Sequence, residues 1–128
     1  MIRMFTYCKS LLSINAEFAP KNVENMYDMF AYCYKVVIIN LPNFRKTKAT
    51  NIQGMFFKNY KLKYIDLSNF EVSSSINNIQ HTFSQCNSTV FIKLDLLKIN
   101  INTNIGYFLN SPYPNITLCI RDENTIIY

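Results

Sequence analysis

Residues 22–44 read Asn22-Val23-Glu24-Asn25-Met26-Tyr27-Asp28-Met29-Phe30-Ala31-Tyr32-Cys33-Tyr34-Lys35-Val36-Val37-Ile38-Ile39-Asn40-Leu41-Pro42-Asn43-Phe44, and two apolar periods run through them. Val23, Met26, Phe30 and Cys33 lie at minus seven, minus four, zero and plus three about Phe30, the spacing of one face of an α-helix. Val36, Ile39 and Leu41 follow as Leu-x-x-Leu-x-Leu, whose last two members point to one side of a strand while the residues between them point to the other. The expected unit is a helix of about three turns, then a strand, closed by Phe44.

The same unit recurs. Phe5, Phe30, Phe56, Phe83 and Phe108 stand 25, 26, 27 and 25 residues apart. Aligned on them, one column before holds Met4, Met29, Met55, Thr82 and Tyr107, and three after holds Cys8, Cys33, Asn59, Cys86 and Ser111. The minus-four column is Met26, Ile52, Ile79 and Asn104, and the minus-seven column is Val23, Ala49, Ile76 and Ile101. Asn22, Lys48, Ser75 and Asn100 precede the expected helices; three of the four can cap the unpaired amides of a first turn. Strand patterns follow at Leu11, Ile14 and Ala16, at Leu62, Ile65 and Leu67, and at Thr89, Ile92 and Leu94, with Phe18, Phe70 and Leu97 as closing residues. One unit cannot bury both its faces, so the units must stack, with strands in a parallel sheet about 4.8 Å apart. The expectation is a single-domain α/β solenoid with one short strand and one short helix per unit of about 25 residues. Residues 1–108 supply four units and the start of a fifth. Residues 109–128, with an alternating Ile116, Leu118 and Ile120 and a turn at 122–124, form a C-terminal cap.

If Ile39, Leu41, Ile65, Leu67, Ile92 and Leu94 point inward, the interleaved residues face out. The candidate binding surface is therefore Asn15, Asn40, Tyr64, Asp66, Ser68, Phe91, Lys93 and Asp95, accompanied by Ser13, Glu17 and Ile38. Aromatic anchors among hydrogen-bonding groups are the composition of a protein-recognition surface; the plain alternative is a solvated sheet face.

Composition bounds the rest. The 128 residues carry 13 Lys and Arg against 8 Asp and Glu, a formal charge of +5, with 2 Gly, 4 Pro and no Trp. Arg45, Lys46, Lys48, Lys58, Lys61 and Lys63 form the densest basic stretch, but Asp66 and Glu71 follow closely and the excess reads as a solvated face rather than a nucleic-acid site. No run approaches the roughly 18 apolar residues that span a bilayer, and the first residues lack the apolar run of a secretory signal. Cys8, Cys33 and Cys86 share one column and read as core thiols, with an inter-unit disulfide as the alternative. No Cys-x-x-Cys pair and no second His support a metal. His81 and Cys86 could in principle form a nucleophilic pair, but their five-residue interval puts them on different faces of the expected helix. Two sequons, at Asn87 and Asn115, arise readily by chance in an Asn-rich chain. No catalytic residue and no cofactor are expected.

On these columns the sequence resembles the BspA-like leucine-rich repeat family, also described as a domain of mycoplasma-type surface lipoproteins. Its unit reads approximately Asn-Val-x-x-Met-x-x-Met-Phe-x-x-Cys-x-x-Leu-x-x-Leu-Asp-Leu-Ser-x-Phe. Asn22 to Phe44 and Met55 to Phe70 match best, and the likeness covers about residues 1–108. Asn59 and Ser111 depart from the Cys column, Thr82 and Tyr107 from the Met column, and Asn104 from an apolar one. The resemblance implies a right-handed leucine-rich-repeat solenoid with a strand-lined inner face, in surface-exposed or secreted proteins that bind protein partners. The expected function is a noncatalytic, monomeric protein-interaction or adhesion module. The alternative is a set of structural units from a longer array that binds nothing by itself.

Overall fold

The alternating stretches after each phenylalanine are strands: β1 (Ser13–Asn15), β2 (Ile38–Asn40), β3 (Tyr64–Leu67), β4 (Phe91–Leu94) and β5 (Thr117–Ile120). The computed structural model describes residues 1–44, 47–67, 70, 76–89, 91–94, 103–110 and 117–120, with backbone alone at 93, 94 and 117–120. The five strands form one parallel sheet in chain order. Ile14, Ile39, Ile65, Ile92 and Leu118 lie in register across it. Ile39, Ile65 and Ile92 are buried, as the alternation requires. β5 continues the sheet into the segment assigned to the cap, so Cys119 pairs in register with Lys93.

The expected helices are not what the Met-Phe segments form. Asp28, Gly54, His81 and Tyr107, with Arg3 before them, all have φ between +52° and +62°, and Tyr7, Tyr32, Lys58 and Gln85 do the same four residues later. Left-handed residues at that interval break any α-helix. Each segment instead makes overlapping tight turns. Met29 N–H bonds to Met26 C=O, Met55 to Ile52, Thr82 to Ile79 and Phe108 to Ile105, each with a positive-φ residue third, as a type II turn requires. A turn residue set at minus four, zero and plus three faces inward just as a helix face would, so the same apolar spacing serves both. The helix cap expected at Asn22 therefore has no helix to cap; Ser75 and Asn100 lie outside the described residues.

The freed amides bond between units. Phe5 N–H donates to Met29 C=O, Phe30 to Met55 and Phe56 to Thr82, at 2.9, 2.9 and 3.0 Å. Positions two to either side repeat the pattern: Asp28 donates to Gln53, and Tyr32 to Phe57. Every one of these bonds runs from a unit to the one that follows it.

This ladder corrects the alignment of the fifth unit. Phe83 N–H pairs with Phe108 C=O, and His81 with Gly106, one residue beyond the earlier pattern. Leu109 thus holds the phenylalanine place, Phe108 the Met place and Ile105 the minus-four place. Asn104 leaves the apolar column and joins Asn25, Asn51 and Asn78 in a continuous series of parallel bridges. Each of these asparagines accepts, through Oδ1, the N–H two residues on: Tyr27, Gln53, Gln80 and Gly106, at 2.9 to 3.2 Å. These Asx turns start the turn wall of units two to five.

Two phenylalanine stacks fill the space between wall and sheet. Phe5, Phe30, Phe56 and Phe83 stack 5.4, 5.9 and 5.2 Å apart with nearly parallel rings. Phe108 meets Phe83 at 5.3 Å but edge-on, at 88°, consistent with its displaced place. Phe18, Phe44 and Phe70 form the second stack and touch the first. Phe30, Phe56 and Phe83 are fully buried, and burying such a side chain contributes roughly 1.5–3 kcal/mol.

Candidate functional site

The cysteine column has a defined task. Cys33 Sγ donates to Phe5 C=O at 3.2 Å and Cys86 Sγ to Phe56 C=O at 3.0 Å, each reaching the unit before it. Asn59, which departs from the column in sequence, does the same work: its Nδ2 donates to Phe30 C=O at 3.1 Å, and its Oδ1 accepts Cys33 N–H at 2.9 Å. Thr82 and Thr89 likewise satisfy their buried hydroxyls on backbone carbonyls, Thr82 on Ile79 and Thr89 on Leu62. These departures keep the unit intact because a buried carbonyl needs a donor, not a sulfur.

Cys8, Cys33 and Cys86 are free thiols. Burial pushes the Cys33 thiol up to about 11 and the Cys86 thiol up to about 12. Both are neutral at physiological pH, the inert state of a structural thiol. His81 stacks on Tyr107 at 5.1 Å and sits edge-on to Phe57 at 6.0 Å, while the Cys86 sulfur bonds to Phe56; the structure gives the two no contact with each other.

Most of the expected surface comes together on the sheet. Ser13, Ile38, Tyr64 and Phe91 form one cross-strand row, and Asn15, Asn40, Asp66 and Lys93 form the next. Ile38 is 50% exposed and Tyr64 43%. Tyr64 stacks on Phe91 at 5.3 Å with the rings 7° from parallel. In the polar row Asn40 Nδ2 donates to Asn15 Oδ1 at 3.1 Å, and Tyr64 Oη donates to Asp66 Oδ2 at 3.4 Å. An apolar ridge thus runs beside a polar one, each pinned by contacts between neighbouring strands. Ser68 and Asp95 lie outside the described residues, and the Lys93 side chain is likewise not described.

Reading the sequence for strand positions missed a second aromatic surface, on the turn wall. Tyr7 stacks on Tyr32 at 4.4 Å and Tyr34 on Tyr60 at 5.2 Å. Lys9 Nζ lies over the Tyr7 and Tyr34 rings, Lys58 Nζ over Tyr32 and Phe57, and the Arg3 guanidinium over Tyr27. The signal was available: Tyr7 and Tyr32 share the position two after the phenylalanine, and Tyr34 and Tyr60 the position four after it. Beside them Asp28 is only 6% exposed, and burial raises its carboxyl despite Arg3 Nε at 3.4 Å.

Among the described residues no helix is long and apolar enough to cross a membrane. Comparison with curated proteins and with solved structures found no match. A family model does match, over residues 1–105, the span that contains all the repeated columns through the fourth unit. With its turn wall, strand row and asparagine series recurring at one period, the chain belongs to the family described as Mycoplasma protein of unknown function, DUF285.

Proposed function

We propose that the stacked units form a solenoid of the leucine-rich-repeat type and that it serves as a noncatalytic protein-interaction module, binding through the sheet. The observation that carries this reading is the apolar ridge of Ile38 and Tyr64, both exposed, and the half-buried Phe91, standing beside Asn15, Asn40 and Asp66. A stacked aromatic pair held rigidly by its strands loses little conformational freedom when covered, which is the property of an anchor at an interface. The polar row alongside supplies the directional bonds that fix a partner's register. The likeness to BspA-like repeats supports the same reading and points to a surface-exposed or secreted protein acting in adhesion.

A random peptide-display library selected against the intact protein tests this. Enriched peptides should lose binding to the Tyr64→Ala/Phe91→Ala variant and keep it with Tyr34→Ala, a change on the turn wall. Failure to enrich any peptide, or peptides indifferent to the double substitution, would reject the sheet as the recognition face.

A further inference from the structure

Among the described residues, core columns stand exposed only at the two ends of the stack. Met4 and Leu11 of the first unit are 56% and 41% exposed, whereas Met29, Met55, Val36 and Leu62 in the same columns are fully buried. Ile105 of the fifth unit is 60% exposed, whereas Met26, Ile52 and Ile79 in its column are buried. Stacked arrays ordinarily close such ends with polar residues. We propose that each end is an interface for the other: the fifth unit of one molecule stacks on the first unit of a second copy, as consecutive units do within the chain.

The backbone of the turn wall supplies the first complementarity. Within the stack, Phe83 N–H donates to Phe108 C=O and His81 N–H to Gly106 C=O, each one place earlier in the unit that follows. At the fifth unit the equivalent donors are Leu109 and Tyr107, whose N–H groups have no acceptor among the described residues. At the first unit Met4 and Ile2 hold the places of Phe108 and Gly106, and their carbonyls have no donor among the described residues. One end thus offers donors at the spacing at which the other offers acceptors. Two copies of the same end would set donor against donor, or acceptor against acceptor.

Sheet and core continue the same way. β1 and β5 are the two edge strands, and an unpaired edge is a template for another strand. Extending the register sets Thr117 and Leu118 beside Ser13 and Ile14 of the second copy. A hollow of about 320 Å³ lined by Phe5, Leu11, Ile14, Ala16 and Phe18 opens on the first unit, at the head of both phenylalanine stacks. Leu109, in the phenylalanine place of the fifth unit, is the side chain that meets Phe5 there.

Such a contact is heterologous, so it propagates into short rows of molecules instead of stopping at a pair. The formal charge of +5 on each copy opposes it, and salt screens that repulsion. The monomer expected from the sequence then holds only in dilute solution. The ends are separate from the outward face of the sheet, so this reading and the sheet's role in recognition stand or fall independently.

The test is sedimentation equilibrium of the full chain at high salt over a wide range of concentration. The average mass should rise with concentration past twice that of one chain. Met4→Lys and Ile105→Lys each place a charge on one end at an exposed position. Each alone should raise the concentration needed for association at least about tenfold, with the circular dichroism of the parent, and Leu11→Lys should act as Met4→Lys does. Mixed together, Met4→Lys and Ile105→Lys should form a one-to-one pair and nothing larger, because one open end of each kind remains. Ile38→Lys, on the outward face of the sheet, should associate like the parent. The proposal is overturned if the parent stays a single chain at every concentration, if the end variants associate like the parent, or if Met4→Lys and Ile105→Lys, each folded and single by itself, fail to pair.

Discussion

Replacing Asn59 separates the two ways of reading the cysteine column, as a place for a small apolar group or as a place for a donor. The side chain is fully buried and makes two bonds into the preceding unit, to Phe30 C=O at 3.1 Å and from Cys33 N–H at 2.9 Å. Asn59→Ala loses both, at about 1 kcal/mol net each, and leaves a small void, so the cost is about 2–3 kcal/mol. At about 4 °C per kcal/mol for a chain of this size, the melting temperature should fall by about 8–12 °C. Asn59→Cys should cost under about 1 kcal/mol. Its thiol can donate to Phe30 C=O as Cys86 does to Phe56, and Cys33 N–H can turn back to Phe30 C=O. That geometry is already used at Asn59 N–H to Phe56 and Cys86 N–H to Phe83, at 3.4 and 3.3 Å. Reversible denaturant melts under reducing conditions measure both variants. Equal losses for Ala and Cys would refute the donor argument, and a gain for Ala would revive the apolar one.

Other expectations follow from the same packing. The folded state holds the Cys33 and Cys86 thiols neutral to about 11 and about 12, against 9.0 ordinarily. Their contribution is complete below pH 9 and is lost as the pH rises from 9 through those values; denaturation midpoints should fall across that window, less steeply in Cys86→Ala. Gly54→Ala, which puts a Cβ into Asp28 Oδ1 at φ +62°, should destabilise by about 1–3 kcal/mol in the same melts. Phe56→Ala opens the middle of the ring stack and should cost about 3–5 kcal/mol, read as a lower melting temperature.

The repeat length and inward strand residues were legible because burial leaves an apolar signature at fixed intervals: Ile39, Ile65 and Ile92 point inward as their alternation requires. The turn wall was not. Minus four, zero and plus three is the spacing of a helix face, and among the described residues the eight positive-φ positions besides Gly54 are all non-glycine, so no punctuation warned of a bend. The asparagine series at 25, 51, 78 and 104 was visible, but an Asx turn bonds a side chain to its own backbone and so has no apolar period. Asn104 looked like a defect because the fifth unit was aligned on a ring, whereas the backbone ladder places Leu109 there. For the sheet surface, alternation identified which residues face out; the Tyr64–Phe91 stack and the Asn15–Asn40 bond depend on strand register, which emerges only when distant segments pair.

The one-way ladder between units has an electrical consequence. A peptide group carries a dipole of about 3.5 D, and on the turn wall the N–H groups of Met26, Asp28, Phe30 and Tyr32 all point toward the third unit, as those of Ile52, Gly54, Phe56 and Lys58 point toward the fourth. Parallel strands cancel most of their own moments, but these add. The turn segments of the wall therefore carry a dipole along the stacking direction, positive toward the fifth unit and negative toward the first.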